Sequence, residues 1–191
     1  HFCYLGAVIN SGGGCQIAIA SRCSYGWKRF NELSSVLCGR RFSMVLKGKI
    51  YKSCVRSTMV YGGETWNIKG EEEGVLRRTE RAMVRKMCGV KLVDKINTKE
   101  LMERLGLKET IVEMVKRGGL RWMGHVLRRD EEDPIRRAWN LEVEGRRGRG
   151  RPKEKWKDAM KKESTKIGLK EEDARDRKKW KDCVKSWSES Q

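Results

Sequence analysis

Residues 16–37, QIAIASRCSYGWKRFNELSSVL, set Ala20, Cys23, Trp27, Phe30, Leu33 and Leu37 three or four positions apart. That interval matches the pitch of an α-helix with one apolar face, so the stretch predicts an amphipathic helix. The same pattern recurs towards the C-terminus. From about Ser43 to Tyr61, Leu46, Ile50, Cys54, Val55 and Thr58 share one side, Lys47, Lys49, Lys52 and Arg56 lie mostly off it, and Gly62 and Gly63 close the stretch. A third helix is expected from about Glu71 to Cys88, with Glu71, Glu72 and Glu73 at its start and Arg85 and Lys86 at its end, as the helix dipole favours. Asn97 with Glu100 three residues on resembles a capping box, opening a short helix that ends at Gly106. A longer one, about Lys108 to Arg129, carries Ile111, Val115, Gly118, Trp122 and Val126 on one face. Pro134 permits another short start, and Pro152 suits a first helical turn. The last two helices are expected at about 152–166 and 171–187, anchored by Trp156, Met160, Trp180, Val184 and Trp187. At the N-terminus, Phe2 to Ile9 (FCYLGAVI) reads as a short apolar strand before an NSGGG turn. The expectation is a mainly α chain, a helical bundle plus a helical C-terminal extension, with a short N-terminal β-hairpin or strand.

Charge sorts the chain into three parts. The formal net charge of the 191 residues is +18. Residues 1–70 hold ten Lys/Arg against Glu32 and Glu64, residues 71–145 hold 17 against 15, and residues 146–191 hold 17 against nine. Two basic ends flank a nearly balanced middle. A balanced helical stretch reads as a solvated face with local ion pairs, whereas the ends want a polyanion. No apolar run of the ~18 residues a transmembrane helix needs is present, and no signal peptide is visible. A chain that begins with His1 inside a strand-like pattern reads as a fragment.

The seven cysteines, Cys3, Cys15, Cys23, Cys38, Cys54, Cys88 and Cys183, form no Cys-x-x-Cys pair. Several fall on apolar helical positions, so buried reduced thiols of an intracellular protein are expected. The two histidines, His1 and His125, stand far from any cysteine cluster, which argues against a zinc site. Glu131-Glu132-Asp133 reads as a solvated loop before Pro134 and not as a metal site.

Five segments, in order, resemble one family. Phe2-Cys3-Tyr4-Leu5-Gly6 is similar to the FxYLG motif of non-LTR (LINE-type) retrotransposon reverse transcriptases. Tyr51-Lys52-Ser53 through Val60-Tyr61-Gly62-Gly63-Glu64-Thr65-Trp66 resembles their thumb helix and its YGxETW ending. Leu120-Arg121-Trp122-Met123-Gly124-His125-Val126-Leu127-Arg128 resembles RWxGHVxR. Gly148-Arg149-Gly150-Arg151-Pro152 with Trp156-Lys157-Asp158 resembles RGRPxxxWxD, and Ala174-Arg175-Asp176-Arg177-Lys178-Lys179-Trp180 resembles a final AxDRxxW helix. The resemblance implies that residues 1–14 end the palm and form a primer grip, through Tyr4, Leu5 and Gly6. Residues 15–90 would then be a helical thumb, 91–144 a helical connector, and 145–191 a basic segment with C-terminal helices. It also implies that the parent protein is an RNA-directed DNA polymerase, nuclear, with magnesium held by aspartates of an upstream palm. No Asp-Asp pair occurs here and the first aspartate is Asp94, so no catalytic residue, metal site or cofactor is expected in this chain, and no polymerase activity of its own.

The expected partners are nucleic acid, as RNA–DNA hybrid or duplex DNA, and the upstream palm of the same polypeptide. The candidate phosphate contacts are Lys28, Arg29, Arg40, Arg41, Lys47, Lys49, Lys52 and Arg56, with Arg146, Arg147, Arg149, Gly150, Arg151 and Lys153 in the second basic end. Arg149-Gly150-Arg151-Pro152 resembles an AT-hook: glycine lets the backbone sink into a narrow minor groove and the arginines run along its floor. A charged linker or a nuclear localisation signal fits the same residues, and Glu154 breaks the all-basic pattern. Trp27, Trp66, Trp122, Trp156 and Trp180 sit near basic residues, and aromatics stack on bases. Each also lies on an apolar stripe, which points to core packing. His125 reads as a hydrogen-bonded core histidine. Two other readings stay open at the level of sequence: a stand-alone DNA- or chromatin-binding module derived from a transposon, and an inactive remnant.

Overall fold

A computed structural model describes residues 2–4, 7–9, 14–142 and 154–187. The chain is mainly helical, and no helix among the described residues is long and apolar enough to cross a membrane. Strands β1 (Phe2–Tyr4) and β2 (Ala7–Ile9) pair antiparallel with Cys3 opposite Val8. The helices are α1 (Gln16–Glu32), α2 (Ser34–Leu37), α3 (Met44–Ile50), α4 (Ser57–Met59), α5 (Gly70–Cys88), α6 (Thr98–Arg104), α7 (Ile111–Leu127), α8 (Pro134–Asn140), α9 (Trp156–Lys166) and α10 (Arg177–Trp187). A π-helical segment, Tyr51–Arg56, joins α3 to α4. Short 3₁₀ turns lie at Gly63–Thr65, Leu92–Asp94 and Glu171–Arg175.

Helix starts follow from side-chain caps. Ser43 accepts the Leu46 N–H at α3, Asn97 accepts the Lys99 N–H at α6, and Asp133 accepts the Ile135 N–H ahead of Pro134 at α8. The reciprocal capping box is found at Thr110 and Glu113, not at Asn97 and Glu100: the Glu113 N–H donates to Thr110 Oγ1 and the Thr110 N–H to Glu113 Oε2. Glu100 turns instead to Arg104, one turn along α6. The expected 171–187 helix is broken, because Asp176 accepts the N–H groups of Lys178 and Lys179 and so starts α10 afresh. The acidic triplet 131–133 is explained by Asp133, which both caps α8 and faces Arg129 at 3.6 Å.

The chain divides into two compact units, His1–Gly62 with Ile68–Val115, and Gly63–Asn67 with Lys116–Gln191. The first unit runs past residue 90, where a helical connector was expected to begin. Residues beyond it complete the first core: Leu101, Leu105 and Ile111 are fully buried, as are Phe30, Leu37, Tyr51, Met59, Leu76 and Met83. Close helix approach sets two glycines. A Cβ at Gly26 would strike Met59, and one at Gly48 would strike the Leu105 carbonyl.

The second unit closes around Leu120, Met123, Val126, Trp139, Met160, Leu169, Ala174, Trp180 and Val184. Residues 63–67 belong here although residues 68–115, which follow them in the chain, belong to the first unit. Trp66 is buried, the Asn67 amide donates to the Glu154 carbonyl, and a Cβ at Gly119 would strike the Met160 sulfur. The cysteines are free thiols among the described residues, Cys23 buried and the others partly so.

Candidate nucleic-acid interface

The basic residues expected as phosphate contacts in the first unit separate into an exposed set and a buried pair. Lys28 and Arg29 are exposed near the end of α1, and Arg29 pairs with Glu32 at 2.9 Å on the surface. Arg40 and Arg41 are exposed in the turn leading into α3. Lys49 and Lys52 are exposed, three residues apart on one helical side, with Ser53 exposed beside them. Arg29 also lies against the Cys54 thiol, which brings the basic end of α1 next to the Lys52–Ser53 turn. Between residues 14 and 62, Glu32 is the single acidic side chain.

Lys47 and Arg56 are corrections to the expected phosphate contacts. Lys47 is 3% exposed, and its Nζ donates to the Met87 carbonyl at 3.2 Å. Met87 lies in the last turn of α5, where free carbonyls and the negative end of the dipole favour a cation. Arg56 is 0% exposed. Its Nε donates to Glu80 Oε1 at 2.9 Å and Nη2 stands 2.7 Å from the same oxygen. Glu80 Oε2 in turn accepts the Ile111 N–H at 3.0 Å, one of the donors left open at the start of α7. Burial pushes the Glu80 carboxyl above its ordinary range, opposed by the Arg56 charge and by the Ile111 N–H. The Tyr51 hydroxyl is also pushed up, by burial first and by the Glu80 charge second.

The π-helical segment accounts for the misplacement of Arg56. Its hydrogen bonds close at i→i+5, so each turn takes in extra chain and residues five apart come into line. Arg56 consequently lies over the Tyr51 ring, 5.4 Å from its centroid, instead of pointing off the apolar stripe. A sequence read at 3.6 residues per turn has no means of finding this shift.

The structure adds a feature that the reading from sequence passed over. Arg22 on α1 lies 4.5 Å from the Tyr61 ring centroid and 5.9 Å from that of Tyr25. Both rings are exposed, Tyr25 at 53% and Tyr61 at 58%. Tyr25 and Arg29 stand one helical turn apart, so the aromatic pair adjoins the basic strip. The available signal was the i, i+3, i+7 spacing of Arg22, Tyr25 and Arg29.

In the second unit the tryptophans that were weighed for base stacking serve packing. Trp180 is 2% exposed and its indole N–H donates to the Leu120 carbonyl at 3.0 Å. Its ring lies where a Cβ on Gly124 would be. Trp156 meets Trp139 edge-on at 5.8 Å, and Lys157 donates to the Trp139 carbonyl. Arg128 donates to the Ala174 carbonyl at 3.1 Å. The segments 120–128, 156–158 and 174–180, distant in sequence, thus meet in one core. His125 is only half-buried: it stacks on Trp122 at 5.1 Å, and Nε2 accepts from Arg129 Nε at 3.3 Å. Trp27, in the first unit, is half-buried against Phe30.

The side chain of Tyr4, and residues Leu5, Gly6, Arg146, Arg147, Arg149, Gly150, Arg151 and Lys153, lie outside what the structure describes. Among the described residues no group of three or more His, Cys, Asp or Glu is placed to hold a metal ion. No family model, no curated protein and no solved structure matches this chain.

Proposed function

We propose that this chain is a nucleic-acid-binding portion of a non-LTR retrotransposon reverse transcriptase, in which the helices of the first unit act as a thumb against a template–primer duplex. The observation that carries this reading is the exposed set Lys28, Arg29, Arg40, Arg41, Lys49 and Lys52 on a surface whose only acid over residues 14–62 is Glu32. Such cations displace condensed counterions from a phosphate backbone and position the duplex without reading its sequence. The five sequence segments similar to that family support the same reading. In it, polymerisation and its metal ions belong to an upstream palm, and this chain contributes grip and orientation.

Affinity for an RNA–DNA hybrid is expected to fall steeply with salt, with a log–log slope of roughly −4 to −5 if about five phosphates are engaged. Charge reversal at Arg40, Arg41, Lys49 and Lys52 together removes up to four contacts and is expected to flatten the slope by roughly three to four. Lys47 is left unchanged in that variant because its charge serves the α5 terminus. Fluorescence anisotropy across a salt series checks the prediction, with circular dichroism to confirm that the variant folds. An unaltered slope in a folded variant would place the contact elsewhere.

A further inference from the structure

Single exposed aromatic side chains are common on protein surfaces and call for no explanation. The pair Tyr25 and Tyr61 is different in two respects. The rings come from separate parts of the chain, α1 and the residue pair following α4, and one guanidinium, that of Arg22, reaches both. A cation shared by two exposed rings attracts each weakly, which biases the pair toward this arrangement before any ligand arrives. Both rings remain more than half exposed, so neither is committed to the core. Tyr25 is followed one turn later by the exposed Lys28 and Arg29, which supply positive charge further along α1.

We infer that Arg22, Tyr25 and Tyr61 form a stacking platform for unpaired nucleotides, next to the basic strip that takes the phosphates. Bases paired within a duplex are already stacked on their neighbours and offer the rings no free face. Unpaired bases do, and stacking on an aromatic side chain tolerates any base because every base has a π-face. The platform thus selects single-stranded nucleic acid, such as a template strand ahead of or a displaced strand beside the duplex. This inference rests on the nucleic-acid reading above and narrows it to a strand type at one place.

The experiment compares a fluorescently labelled single-stranded oligonucleotide of mixed sequence with an RNA–DNA hybrid of equal length, using the full chain. Tyr25→Ala and Tyr61→Ala are each expected to weaken single-strand binding roughly five- to tenfold, at the lower end of what one stacked base contributes. Hybrid affinity is expected to stay within twofold. The salt slope of single-strand binding is expected to be unchanged, because stacking releases no counterions. Tyr25→Phe and Tyr61→Phe are expected to bind like the parent chain, since the ring and not the hydroxyl is used. Equal losses for strand and hybrid, or no loss in either alanine variant, overturn the platform while leaving the basic strip standing. A parent chain that binds neither ligand overturns both.

Discussion

Arg56→Ala is expected to lower the stability of the first unit by about 3–5 kcal/mol, the usual cost of breaking a buried ion pair from one side. Glu80 then keeps its buried position and its Ile111 hydrogen bond but loses the cation 2.7 Å away. Since domain stabilities are about 5–15 kcal/mol, such a loss is a large part of the whole. Replacing both partners by apolar residues of similar size, Arg56→Met with Glu80→Leu, is expected to recover part of it, because no charge is left stranded although the Ile111 N–H loses its acceptor. The effect also carries a pH signature. Burial already holds the Glu80 carboxyl above its ordinary range, and Arg56 is the largest influence opposing that. Without Arg56 the folded-state value rises further above the unfolded one. Stability contributed by the protonated carboxyl is fully present below the unfolded value and is lost as pH rises through the folded value. The deficit of Arg56→Ala relative to the parent chain is therefore expected to be smaller near pH 5 than near pH 8. Chemical denaturation at the two pH values, followed by circular dichroism, measures both. A loss below about 1 kcal/mol, or one that grows on acidification, would show that the pair does not hold this core together.

In the second unit the largest effect is expected at Trp180. Trp180→Ala empties the volume over Gly124 and removes the indole donor to Leu120, for an expected loss of about 3–5 kcal/mol. Trp180→Phe keeps most of the ring and loses the hydrogen bond, so its loss is expected to be clearly smaller. Gly124→Ala tests the same contact from the other side. In the parent chain the new methyl would collide with the indole, an overpacking cost of about 1–3 kcal/mol. In the Trp180→Ala background the collision is gone and alanine is the better helix former by about 1 kcal/mol, so the sign of the Gly124→Ala effect is expected to reverse. Such a reversal, read from a double-mutant cycle of unfolding free energies, is the mark of two side chains competing for one space. Additive effects would mean that α7 and α10 do not meet through this pair.

The local signals that start and stop helices lie in the sequence. Spacing of apolar residues located α1, α7 and the C-terminal pair, because burying one face of a helix demands a repeat near 3.6 whatever the neighbour, and acids at one end with bases at the other located α5. Asn97 and Pro134 were legible as boundaries, since caps and prolines act within a few residues of themselves. The excess of basic residues over residues 14–62 was legible too, and Lys28, Arg29, Arg40, Arg41, Lys49 and Lys52 are exposed.

Only the tertiary structure decided which charges face outward. Lys47 and Arg56 turn inward because a helix end in α5 and a carboxylate at Glu80 wait for them, 40 and 24 residues away in the chain. The π-helical segment that aligns Arg56 with Tyr51 changes the period locally, and no regular spacing encodes such a change. Trp66 falls in a compact unit built mostly from residues after 115, and Tyr61 meets Arg22 across 39 positions. These pairings depend on which distant surfaces come together, and that is set by the packing of whole faces and not by any local run of residues.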